Sequence, residues 1–260
     1  MPKRAFAIAA HPDDIEFMMS GTLILLGRAG YELHYMTVAN GSCGSERVAA
    51  AEIVRVRRCE AQTAAAYAGA VYHDSLVDDL EILYDLHLLR RLASVVRAVA
   101  PEVILTHWPS EYMEDHSNTC RLVCTAAFAR GMQNFRTVPP QPTTNQSVTI
   151  YHALPYGLQE PLGRRVCPGL YVDVTGVMEE KREMLAAHRS QKEWLDASQG
   201  IGAYLEELQR TCSRVGLMSG RYTYAEGWTR RLHLGYCSPD ADPLRSAIGD
   251  RCCEGGPPTE

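Results

Sequence analysis

Short apolar runs alternate with longer amphipathic stretches through the first half of the chain. Arg4–Ala10 has no polar alternation and reads as a strand buried on both faces. Met18–Arg28 reads as a helix, and Leu33–Ala39 as a second strand closed by the turn pair Asn40-Gly41. Glu46–Ala68, rich in Ala, Glu and Arg, predicts a long helix, with a short strand following at Ala70–Asp74. Leu86–Val99 sets Leu88, Leu92, Val95, Val96 and Val99 on one helical stripe that Pro101 ends. Glu102–Thr106 predicts another buried strand and Asp115–Arg130 another helix.

This alternation predicts an α/β fold: right-handed βαβ units forming a mainly parallel sheet with helices on both faces. Ligands of such sheets sit outside the carboxyl ends of the strands, where the strand order reverses. In the common order 3-2-1-4-5, the strands flanking that crevice are Arg4–Ala10 and Glu102–Thr106. After Gly131 the pattern loosens. Val138–Asn145 is a loop, Val148–His152 and Gly169–Val174 read as short strands, and Met178–His188 and roughly Gly200–Val215 as helices. The expectation is one domain over residues 1–250 with a decorated C-terminal third, and a loose tail at 251–260.

Composition narrows the partners. With 260 residues and 46% hydrophobic positions, the chain can bury a core without a metal or disulfide to hold it. A formal charge of −5 argues against nucleic acid, which is bound chiefly by basic faces. The nine cysteines are odd in number and irregularly spaced. Cys120 and Cys124 fall on one side of a predicted helix, but no CxxC pair suggests a thiolate zinc site. Reduced thiols in a cytoplasmic protein are expected. The apolar run Ala5–Ala10 is shorter than the about 7–15 residues of an export signal or the about 20 of a membrane helix. Neither is expected.

The candidate chemistry lies at the two flanking strand ends. Arg4–Ala10 runs directly into His11-Pro12-Asp13-Asp14, a turn stiffened by Pro12. Residues three apart in a tight turn converge, which suits His11 and Asp14 as two ligands of one ion. The other strand leads through His107 and Glu111 to Asp115-His116 at the head of a helix. His116 then completes a set of two histidines and one carboxylate. Three protein ligands with one open position is the arrangement of catalytic zinc, which lowers the pKa of water to about 7. Asp13 stays free beside the ligands as a general base. Taken singly, the first motif also reads as a turn and Asp115 as a helix N-cap. Their joint position beside the crevice favours the metal site. The same ligand types describe non-haem iron oxygenases, yet a spare acid next to a ligand suits water activation better, so hydrolysis is expected.

These residues resemble the LmbE-like, or PIG-L-like, N-acetylglucosaminyl deacetylases. Ala10-His11-Pro12-Asp13-Asp14 with Glu16 and Ser20-Gly21-Thr22 is similar to the family's opening motif. Asn40-Gly41 with Gly44, Arg57-x-x-Glu60, Pro109 through Asp115-His116, and His188-x-Ser190-Gln191 are similar to later ones. The resemblance implies a Rossmann-like fold, a Zn2+ ion, and hydrolysis of an N-acetyl group from a small amino-sugar-type molecule. It implies His11, Asp14 and His116 as ligands, Asp13 as base, Arg57 as a substrate contact and Asp115 as support for a ligand. Homo-oligomers are common in the family.

One position departs from it. The family's second motif reads His-x-Asp-His, and its first His stands where this chain has Met113, which has no proton to give. Losing such a group costs on the order of 10²–10³ in rate unless another donor replaces it. Tyr112, His107, His152 and His188 are the candidates, and Asp13 can return the proton it takes. Three other readings stay open: a zinc hydrolase of another amide or an ester, a non-catalytic binding protein, and an iron oxygenase.

Overall fold

The computed structural model describes residues 2–191 and 203–255. The apolar runs of the first half form β1 (Arg4–Ala9), β2 (Glu32–Thr37), β3 (Val71–His73) and β4 (Val103–Thr106). β5 (Thr149–Ala153) joins them, and all five are parallel in the order 3-2-1-4-5. β1 lies at the reversal point, with Ile8 paired to Met36 on one side and Thr106 on the other.

The all-apolar character of β1 follows from its two covered faces. Ala5, Ala7 and Ala9 pack with Leu23, Leu26 and Tyr35, while Phe6 and Ile8 pack with Leu92, Val96 and Val123. The second layer comes from α4 (Leu86–Val99) and α5 (Glu114–Phe128). Asp85 caps α4 by accepting from Leu88 N, and Ala100 ends it in the left-handed region before Pro101. The opposite layer includes α3 (Ala50–Tyr67), through Ala61 and Ala65. Among the described residues, no helix is long and apolar enough to cross a membrane.

Two differences from the sequence expectation have a common cause. The helix expected from Met18 begins at Asp14 and breaks at Met19, giving α1 (Asp14–Met18) and α2 (Ser20–Arg28). The C-terminal third extends the sheet with β6 (Leu170–Asp173), β7 (Ala225–Arg230) and β8 (Cys252–Glu254), antiparallel in the order β5-β7-β6-β8. β7 has no apolar pattern because it carries a buried carboxylate, Glu226. That carboxylate accepts from Gly21 N and Thr22 N, both at 2.8 Å, so it caps the new start at α2. Lys181 of α6 (Met178–Ala186) neutralises it and also donates to Phe17 O. β8 stands where a loose tail was expected, held by its ladder to β6; residues 256–260 lie outside the described ones. α7 (Ala203–Ser219) takes most of the helix expected over 200–215, the first residues of which also lie outside. α8 (Pro243–Ile248) follows β7.

Because Lys181 and Glu226 are both buried, removing the cation alone strands the carboxylate in the interior. Lys181→Met is expected to lower unfolding stability by about 3 kcal/mol, read from urea denaturation. Lys181→Met with Glu226→Gln should recover part of the loss, since the amide oxygen still accepts from α2 without a buried charge. No recovery would contradict this assignment.

Candidate metal centre and active-site cavity

β1 ends one residue before the turn that carries the first histidine. Asp13 adopts φ 104°, a left-handed conformation that Asp tolerates better than most side chains, and it stands at the N-cap position of α1 with its side chain free of the helix. Asp14 reaches back so that its Oδ2 accepts from His11 N at 2.7 Å, which fixes the carboxylate against the end of the strand. β4 ends beside it, and the following loop delivers Glu111, then Asp115 and His116 on the first turn of α5.

The three sequence-predicted ligands come together. His11 Nδ1 lies 3.5 Å from Asp14 Oδ2, and His116 Nε2 lies 3.4 Å from Asp14 Oδ1. One ligand atom from each residue falls within 4.8 Å of the others. The far nitrogens of both rings face carboxylates: His11 Nε2 is 2.9 Å from Asp115 Oδ2, and His116 Nδ1 is 3.7 Å from Glu111 Oε2. Asp115 thus supports His11, and is itself held by Leu80 N at 2.8 Å. A carboxylate behind each imidazole is the usual device for orienting a metal-binding ring.

The electrostatics suit a cation. Burial works against charge on Asp14, yet His116, His107 and His11 hold its carboxyl well below the usual range. Burial likewise opposes protonation of His11, but Asp115 and Asp14 push it up to about 10. Glu111 Oε2 and His116 Nδ1 are both buried with no hydrogen-bond partner. The buried Asp14 carboxylate between His11 Nδ1 and His116 Nε2 fits a divalent ion bound among these three residues. His107, Glu111 and His116 also meet the same spacing.

Asp13 points into the same space. Its Oδ2 accepts from Tyr204 OH at 2.8 Å and lies 3.4 Å from Arg57 Nη2. Burial raises its carboxyl above the usual range, against the pull of Arg57. Arg57 is buried, so it is no solvated helix charge, and it donates to Pro12 O. Gly41, at φ 81°, and Gly44 leave the room it occupies: a Cβ at Gly41 would overlap its side chain. The late motif braces this wall. Gln191 donates to Gly44 O, Ser190 bonds Glu60, and His188 faces Glu16 at 3.4 Å.

His11, Asp13, Asp14, His116, Arg57 and Tyr204 line a cavity of about 880 Å³, within the range of small-molecule sites. Met113 lines it too, with Tyr112, Tyr156 and Phe17 as aromatic walls. Of the four candidates to replace the missing histidine, His152 and His188 are buried away from the cavity lining. His107 lines it, but its Nε2 accepts from Ala10 N at 2.9 Å and so carries no proton there. Burial and His116 also hold that ring below its ordinary value, hence neutral. Tyr112 keeps a hydroxyl on the wall, its ring edge-on to His116 at 5.4 Å.

Two site residues escaped the sequence reading as such. Glu111 was visible as a carboxylate in the loop between β4 and α5, without a sign that it turns toward His116. Tyr204 sits on α7, and no local motif marks it.

The chain is similar to several known proteins. Residues 6–127 match the family model described as PIG-L, GlcNAc-PI de-N-acetylase. The chain is 28% identical over 235 residues to a diacetylchitobiose deacetylase of Thermococcus kodakarensis, covering 86% of this chain and 82% of that one. It is 26% identical over 237 residues to a 4-oxalmesaconate hydratase of Pseudomonas putida, covering 86% and 88%. In structure it is similar to the N,N'-diacetylchitobiose deacetylase of Pyrococcus horikoshii, with TM-score 0.73, 24% identity and coverage of 93% and 88%. The 4-carboxy-2-hydroxymuconate hydratase GalB of Pseudomonas putida gives TM-score 0.70, 24% identity and coverage of 88% and 95%. The fold is therefore the one these proteins share.

Glu111→Gln keeps the size of the side chain and removes the charge behind His116. Zinc affinity, measured by competition with a chromophoric chelator, is expected to fall about 10–100-fold. Unchanged affinity would separate Glu111 from the orientation of His116.

Proposed function

We propose, from the match of residues 6–127 to the PIG-L family model, that the chain is a zinc-dependent N-deacetylase of a small, soluble amino-sugar-type substrate. In this reading His11, Asp14 and His116 hold the zinc, Asp13 is the general base, Asp115 and Glu111 orient the two histidines, and Arg57 steadies Asp13. The observation that carries it is the convergence of both histidines on Asp14, with the carboxylate of Asp13 beside them at the cavity. A cytoplasmic location and a homo-oligomeric state belong to the same proposal.

Zinc bound there lowers the pKa of water and polarises an acyl carbonyl. The rest is the work of the chain's own groups. Asp13 Oδ takes the proton of the attacking water, and its raised proton affinity in the buried setting favours that role. Tyr204 and Arg57 keep the carboxylate aimed while it does so. The C–N bond then breaks, acetate leaves the acyl side, and the amine takes a proton that Asp13 hands back. Tyr112 is the hydroxyl donor on the wall that Met113 leaves without a histidine. Tyr156 and Phe17 offer apolar faces to a sugar ring.

Met113 favours a second reading on the same residues. Adding water across a carbon–carbon double bond creates no amine and needs no separate acid for a leaving group. Asp13 then takes the water's proton as oxygen bonds one carbon and a proton goes to the other. The similarity to a 4-oxalmesaconate hydratase is in keeping with that chemistry.

Zinc-loaded protein assayed on a panel of N-acetylated sugars and on 4-oxalmesaconate separates the two. Acetate release from a sugar is the expected outcome; hydration with no acetate from any sugar would overturn deacetylation in favour of the second reading. Asp13→Asn is expected to lower turnover by about 10²–10⁴ with zinc content unchanged. Turnover near the wild-type level would remove Asp13 from the mechanism.

A further inference from the structure

Below the cavity lies a group of soft ligands that the proposed reaction does not use. His116, Cys120 and Cys124 are spaced four apart on α5, so they share one helix face, each roughly 6 Å below the last. Cys120 and Cys124 are buried at 1% and 4% exposure, and His152 of β5 is buried against them at 3%. One ligand atom from each of Cys120, Cys124 and His152 lies within 4.8 Å of the others. We propose that these three residues form a second metal site, distinct from the one at His11, Asp14 and His116, that takes a thiophilic divalent cation of the zinc type.

The geometry decides between a metal and a disulfide. Side chains four apart on a helix have Cβ atoms about 5–6 Å apart, whereas a disulfide needs about 3.5–4.5 Å. A bridge would require α5 to distort. A metal does not: histidines at the same i,i+4 spacing bind zinc from one helix face, and Zn–S bonds of about 2.3 Å span the two sulfurs.

His152 is held between the thiols and the backbone after β4: its Nδ1 lies 3.5 Å from Cys120 Sγ and 2.8 Å from His107 O, and its Nε2 lies 3.4 Å from Arg231 Nη1. The Arg231 guanidinium is partly exposed and lies over the Tyr236 ring at 5.7 Å.

Occupancy would tie α5, which carries Asp115 and His116, to β5, which holds the backbone of His107. The site therefore braces the helix that presents one proposed ligand of the first ion. It also assigns a role to two cysteines that lack the CxxC spacing of common thiolate sites.

The test uses the full chain, reduced, stripped of metal and titrated with Co²⁺ alone. A sulfur-to-cobalt charge-transfer band in the near ultraviolet is expected. It should persist in His116→Ala, which impairs only the first site. It should vanish in Cys120→Ser and Cys124→Ser, while cobalt bound to nitrogen and oxygen remains visible. Absence of the band from the wild-type protein, or its survival in both serine variants, overturns the proposal. Should the serine variants not fold, zinc-edge X-ray absorption of the zinc-saturated wild type decides. Sulfur neighbours at about 2.3 Å support the site, and nitrogen and oxygen neighbours alone overturn it. An isolated protein in which Cys120 and Cys124 are joined as a disulfide would overturn it equally.

Discussion

The carboxylate of Asp14 is the point on which the site depends. It is held from behind by His11 N and flanked by His11, His107 and His116. The buried anion keeps its charge chiefly through His116 and His11, and His11 in turn keeps its orientation through Asp115 at 2.9 Å. Remove the carboxylate and His11 and His116 lose the charge on which they converge. Asp13 is in a different position: adjacent in sequence, it is turned away by a left-handed backbone and engaged by Tyr204 and Arg57. Two neighbouring acids are thereby separated into a group suited to binding a cation and a group suited to moving a proton.

The sheet makes that separation possible. β1 and β4 are adjacent at the reversal point, so the loops leaving them open into the same crevice. α1 begins at Asp14 itself, and α5 begins just before Asp115. The C-terminal third contributes from the far side. Glu226 and Lys181 fix the junction of α1 and α2, and α7 brings Tyr204 onto Asp13. The decorated part of the chain therefore acts on the site through a buried ion pair and one phenol.

Much of this was legible in the sequence because its causes are local or strongly periodic. The runs at β1, β2 and β4 are buried on both faces, so their composition alone marks them. The α4 stripe and its stop at Pro101 reproduce the bounds of the helix. The convergence of His11 with Asp14 follows from a four-residue turn stiffened by Pro12. What stayed hidden is what distant segments impose. β7 looks polar because Glu226 is satisfied by α2 and α6, far away in sequence. The break at Met19 has the same origin, and so does β8, which becomes a strand by pairing with β6. Arg57 could not be told from a surface charge until Gly41 and Gly44 were seen to make space for it. Tyr204 carries no signal, since its partner is fixed by the packing of α7.

The central claim is that one cation is bound by His11, Asp14 and His116. Anomalous diffraction at the zinc edge, from crystals of the protein soaked in zinc, tests it most directly. A peak enclosed by those three side chains, absent in Asp14→Ala, is the predicted result. Clear density for all three side chains with no anomalous peak between them would contradict the account.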